Sequence, residues 1–176
     1  MWTQDEVNGP KLIDHLYELW TMEHRIIDSL PGMIEKVYDG GLKNILRLHY
    51  SETLNQTSSL RGIFKQLDCD IQNKPDDEFS LMLDQADDAF VDEAAKSTAS
   101  DQLIISFCKK IEDYEIGKYS IAIAQAKLLR LDGVVKVLYT ILNEEKLAKV
   151  KLDFVAKNIA DGQSRTLESQ KQYATL

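Results

Sequence analysis

Ile111-Glu112-Asp113-Tyr114-Glu115-Ile116 (residues 111–116) sets two carboxylates three positions apart in the middle of an otherwise apolar helical face. Ile104, Phe107/Cys108, Ile111, Glu115, Ala122, Ala126 and Leu129 recur at the spacing of one side of an α-helix, predicted from Ser97 to about Leu131. Thr98, Ser100 and Asp101 are candidate caps for its start. Residues three apart on a helix are neighbours, so Glu112 and Glu115 can reach one site. An acid in a core stripe is costly unless something partners it, which makes this stretch the place to begin.

The same interruption recurs in the other long periodic segments. After the turn signal Asp132-Gly133, Val134, Leu138, Ile141/Leu142, Glu145, Ala148/Lys149, Leu152, Val155/Ala156 and Ile159 line a fourth long helix, with Glu145 at mid-length. A first helix is expected to start at Gly9-Pro10 and carries Leu12, Leu16, Leu19/Trp20, Glu23, Ile26/Ile27, Leu30, Ile34 and Val37. Pro31 should kink it, and Asp39-Gly40-Gly41 should end it through a left-handed glycine. A second runs from about Leu42 to Leu67 through Ile45, Leu48/His49, Glu52, Gln56, Leu60 and Ile63. Both connections are short enough to force antiparallel hairpins. Glu23 to Glu52 spans 29 positions and Glu115 to Glu145 spans 30, which places the acids at matching heights in two similar hairpins.

Between the hairpins, Asp68 to Asp77 reads as a loop containing Pro75. A shorter helix follows, with Phe79, Leu83, Ala86 and Phe90 on one side and Asp84, Asp87, Asp88 and Asp92 mostly on the other. Those acids lack the alternation and central glycine of a calcium loop and read as a solvated face. The expected fold is all-α: a ferritin-like antiparallel four-helix bundle with one additional crossover helix between the second and third long helices. Residues 1–9 are expected to form a leader, 10–160 the single bundle domain, and 161–176 a polar tail, either frayed or an oligomer contact.

Composition narrows the function classes. The chain has 176 residues, 44% of them hydrophobic, enough for one domain with a substantial core. A net charge of −8 and a pI near 4.9 disfavour nucleic acid and anionic lipid as partners. No run is long and apolar enough for a membrane span, and the first residues lack signal-peptide order, so a cytoplasmic location is expected. Cys69 and Cys108 form no CxxC or Cys/His cluster and read as free thiols. No small-molecule substrate is identified by any motif.

Tyr17-Glu18-Leu19-Trp20-Thr21-Met22-Glu23, His49-Tyr50-Ser51-Glu52-Thr53-Leu54-Asn55-Gln56, Ile111 to Ile116 and Asn143-Glu144-Glu145-Lys146 together resemble the YciE/YciF family of ferritin-like proteins, in order and spacing, over about Leu12 to Ile159. The resemblance implies a homodimer and a dinuclear iron or manganese site at Glu23, Glu52, Glu112, Glu115 and Glu145. It also implies a stress-associated role. Hard carboxylate oxygens suit those metals. His49, Gln56 and Tyr114 stand where residues supporting or modulating the site would be; His15 and His24 read as boundary residues. A hydroxyl of Tyr114 or Tyr119 close to the site could hydrogen-bond a carboxylate.

Two positions depart from the family pattern. Asp113 stands where histidine is common, and Lys149 where an acid is common, four residues after Glu145. Lys149 either replaces the metal as counter-charge or extends outward and leaves the site open. Two functions follow: a di-metal carboxylate protein reacting with oxygen or peroxide, or a non-catalytic dimeric bundle with a degenerate site that acts through its surface.

Overall fold

The computed structural model describes the backbone of residues 4–91 and 96–173 and the side chains of residues 9–86 and 96–162. Five helices follow in order: α1 (Gln4–Lys36), α2 (Gly40–Gln66), α3 (Asp77–Val91), α4 (Thr98–Leu128) and α5 (Asp132–Tyr173). Phe90, Asp87, Asp88 and Asp92 of the expected faces of α3 lie outside the described side chains. Helix α1 packs on α2 and α4, and α5 packs on α4 and α2, so the long helices form a closed ring of four.

Cross-helix contacts fix the directions. Lys118 pairs with Glu18, and Tyr38 and Asp39 contact Asp101, so α1 and α4 run antiparallel. Gln56 meets Glu145 and Glu52 meets Lys151, so α2 and α5 do as well. Helices α2 and α4 therefore run the same way, and residues 68–97 must carry the chain back along the bundle. This is the ferritin-like arrangement, with α3 as the crossover helix. Phe79, Leu83 and Ala86 of α3 are buried, with the Phe79 ring 5.6 Å from that of Tyr114.

The helix ends differ from the expectation in instructive ways. No described glycine has positive φ, and α2 begins at Gly40 rather than after it. Asp39 caps α2 by accepting a hydrogen bond from Leu42 N at 2.8 Å; a Cβ on Gly41 would lie 3.0 Å from that same carboxylate oxygen. The preceding turn is held from across the bundle: the buried carboxylate of Asp101 accepts from Tyr38 N at 2.8 Å and Asp39 N at 2.7 Å. The start of α4 is closed by a reciprocal Ser97/Ser100 capping box.

Left-handed residues do occur, at Asp68 (φ 52°) and Arg130 (φ 56°), which end α2 and α4. In each case the next amide reaches back to close the last turn, Cys69 N to Phe64 O and Leu131 N to Ala126 O, both at 3.0 Å. The matching ends reinforce the likeness of the two hairpins.

Helix α1 is assigned without interruption through Pro10 and Pro31, since each proline removes only one backbone bond from a long helix. It spans Gln4–Lys36, so Gly9 and Pro10 lie within it. Helix α5 spans Asp132–Tyr173, and beyond Gly162 its sequence has neither proline nor glycine. Among the described residues, no helix is long and apolar enough to cross a membrane.

Candidate metal centre

All four bundle helices send polar side chains inward at one level. Glu23 comes from α1, His49 and Gln56 from α2, Glu112 and Glu115 from α4, and Glu145 from α5; all are buried, and Glu23, Glu115 and Glu145 are 0% exposed. The helical stripes that bury Leu19, Ile26, Leu46, Leu60, Ile111, Ala122, Leu138 and Leu152 bring these groups along with them. His49, Glu112, Glu115 and Glu145 each present a donor atom, and those atoms lie within 4.8 Å of one another.

Few of these groups are satisfied by the protein. The Tyr119 hydroxyl donates to Glu23 Oε1. Gln56 Nε2 donates to Glu145 Oε1 at 2.5 Å and to Glu144 Oε2 at 3.1 Å. His49 Nε2 stands 3.6 Å from Glu112 Oε1. Left without a protein donor are Oε2 of Glu23, Glu112 and Glu145, both oxygens of Glu115, and Nδ1 of His49; Glu112 and Glu145 can bond each other only by sharing a proton. Each buried orphan of this kind costs roughly 1–3 kcal/mol, so the cluster is unfavourable for the protein alone.

Protonation partly relieves that cost. Burial, reinforced by the neighbouring carboxylates, holds Glu23, Glu115 and Glu145 well above the usual carboxylate range. Burial likewise moves Glu112 up to about 8, although its hydrogen bond with Glu145 works the other way. His49 is pushed down to about 4, first by burial and then by the charge of Lys151, so its ring is neutral and able to ligate. Burial also raises the Cys108 thiol, which lies one turn before Glu112 and stays a thiol.

The remaining candidates are placed elsewhere. Glu52 does not join the group of four; it is half-buried at the α2/α5 seam and accepts a hydrogen bond from Lys151 Nζ at 3.0 Å. Of the two roles left open for Lys149, the structure shows the outward one, with its ammonium paired to exposed Asp113. Tyr114 faces α3 and bonds Asp76, under the Lys118 ammonium, and is not at the cluster. His15 and His24 are boundary residues, next to Glu18 and the Trp20 carbonyl. Cys69 and Cys108 are free thiols.

Lys151 and Glu144 were not singled out by the sequence. Antiparallel register could have found the lysine, because the contact of Gln56 with Glu145 puts Glu52 opposite the stretch that contains Lys149 and Lys151. Of the two tyrosines the sequence offers as carboxylate partners, Tyr119 is the one that bonds a cluster acid, Glu23.

A family model described as a domain of unknown function, DUF892, matches residues 10–164. YcfI from Rhodopseudomonas palustris is 31% identical with a TM-score of 0.80, over 87% of this chain and 98% of that one. The E. coli stress protein YciF is 21% identical with a TM-score of 0.82, over 92% of this chain and 99% of its own. A protein from Xanthomonas campestris pv. campestris is 15% identical with a TM-score of 0.63, over 96% and 99%. For the last two the likeness is one of fold. No curated protein matches the chain.

Proposed function

The chain belongs to the DUF892 family, a YciE/YciF-like family, and we propose that it binds iron or manganese at Glu112, Glu115, Glu145 and His49, with Glu23 alongside. The observation that carries this reading is the set of buried, partnerless carboxylate oxygens converging with a neutral imidazole from the four bundle helices. Oxygen donors with one imidazole suit either metal, and Glu23 adds the extra carboxylate that a second ion would need.

A bound ion would supply redox capacity or Lewis acidity toward oxygen or peroxide. The chain's own contribution is to hold the donors rigidly. Gln56 orients Glu145, Tyr119 orients Glu23, and the surrounding aliphatic layers keep water out. A role in stress is suggested by the fold neighbour YciF, which is described as an E. coli stress protein. The competing reading is a non-catalytic bundle whose acids are neutralised by Lys149 and hydrogen bonds and which acts through partners; against its use of Lys149 stands the pairing of that ammonium with Asp113 on the surface.

Titration calorimetry of metal-free protein with Mn(II), and anaerobically with Fe(II), tests the proposal. One to two ions per chain should bind, and Glu145→Gln or Glu112→Gln should weaken binding by about 10²-fold or more while circular dichroism shows an intact bundle. A folded wild-type protein that takes up neither metal would overturn the site.

We propose further that the homodimer implied by the resemblance buries the outer face of α5. There Leu147, Val150 and Phe154, at helical spacing, are 52%, 60% and 66% exposed. Light scattering should then show a dimer that Phe154→Glu converts to monomer; a dimer unaffected by that change would exclude this face.

A further inference from the structure

The seam between α2 and α5 carries a second layer of charge outside the buried donors. Glu52 lies three residues after His49 on α2, and its carboxylate is held at 3.0 Å by Lys151 from α5. Both side chains are about one-quarter exposed, at 22% and 24%, so solvent reaches the pair. Four residues on, Gln56 bridges buried Glu145 to half-buried Glu144, so acids flank Gln56 along the same seam. The pair is also close enough to act on the cluster: the charge of Lys151 bears on His49 and Glu112, and that of Glu52 on Glu112 and Glu145.

Other lysines paired to acids have their partners away from the site: Lys149 with Asp113, Lys109 with Asp153, Lys74 with Asp14 and Glu18, and Lys118 with Glu18 and Asp76. Lys151 differs because its partner is the carboxylate adjoining the donor set. Its ammonium is paired to a part-exposed carboxylate one helical turn from His49. A lysine suits an exchangeable position: the charge is compact, its stem is flexible, and the head can swing to water with the stem left packed.

We infer that Lys151 is a resident counter-ion at the mouth of the site, and that a divalent cation is taken up by displacing its ammonium from Glu52. The inference rests on the proposed metal site. It assigns to Glu52 the capture of the incoming ion and to Lys151 the control of affinity and uptake rate. Both are positioning roles, since neither residue is among the four converging donors.

The experiment is Mn(II) binding to full-length protein, by calorimetry for affinity and stopped-flow for association rate. The proteins compared are wild type, Lys151→Met, Lys151→Gln and the double variant Lys151→Met/Glu52→Gln. Removing a unit charge a few ångströms from the ion path should tighten Mn(II) binding about tenfold and speed association, in both single variants. The double variant should lose the gain, because the carboxylate that captures the ion is gone. Two single variants are used so that a packing defect in one, visible in its melting curve, does not decide the result. Wild-type affinity and rate in folded single variants would overturn the role of Lys151 and leave the metal site standing. Tighter binding that persists in the double variant would overturn the pairing through Glu52. Absence of Mn(II) binding by every folded protein would overturn the metal site and this inference together.

Discussion

Replacing Glu115 by leucine should stabilise the metal-free protein by roughly 2–4 kcal/mol and remove its metal binding. Glu115 is fully buried, and neither carboxylate oxygen has a hydrogen-bond partner, so substitution leaves no protein group newly orphaned. Leucine has a similar volume, prefers helix, and is flanked by the apolar side chains of Ile111 and Ala122 on the same face of α4. A residue kept only for the fold would not be an acid here; one kept for a ligand would cost the empty protein stability.

The neighbouring acids give an internal control. Glu145→Leu should gain less, because Gln56 would lose the nearer of its two acceptors, and Glu23→Leu less again, because the buried Tyr119 hydroxyl would be stranded. Urea denaturation in chelator, with m-values compared to exclude a change in the unfolded state, measures the series. Destabilisation by Glu115→Leu, in the order opposite to this ranking, would mean that the carboxylates hold the bundle together and that the ligand reading is wrong.

Much of the bundle is legible in the sequence because a buried helix face repeats: the stripes through Leu12–Leu30, Ile104–Ala126 and Val134–Ile159 are buried as their spacing requires. Glu23, Glu112, Glu115 and Glu145 were visible as interruptions of those stripes. Helix α2 was harder for a physical reason. Its buried face runs through His49, Thr53, Gln56 and Thr57, so a stripe drawn through apolar residues alone tilts toward Leu48 and Glu52. Leu48 is in fact 46% exposed and Glu52 sits at the seam. The same rotation separates Lys149, facing Asp113 of α4, from Lys151, facing Glu52 of α2. Spacing places both on one helix, but only packing tells which neighbour each meets. The turn before α2 was illegible for a similar reason: its amides are satisfied by Asp101, more than sixty residues away in sequence.

Raising the pH from about 6.5 to 8 should destabilise the metal-free protein and tighten its metal binding. In the folded chain Glu112 titrates near 8 rather than at its ordinary 4.5, and Glu23, Glu115 and Glu145 are displaced in the same direction. A group whose pKa is raised by folding contributes stability below its unfolded value, and that stability is lost as the pH climbs through the folded value. His49 has the opposite sign. It falls from 6.5 to about 4 on folding, so its contribution is intact above 6.5 and is lost only as the pH drops toward 4. Between 6.5 and 8 the carboxyl groups therefore act alone, and each proton retained by the folded chain costs roughly 1.4 kcal/mol per pH unit. Metal reverses the dependence, because ligation requires deprotonated carboxylates and releases the protons that the empty site retains. Denaturation midpoints at pH 6.5, 7.25 and 8 in chelator should fall with pH, while calorimetry in buffers of different ionisation enthalpy should show protons released as Mn(II) binds. A flat stability profile in chelator, with no proton release on binding, would mean that the acids are already ionised in the empty bundle and are held by cations or water instead of by shared protons.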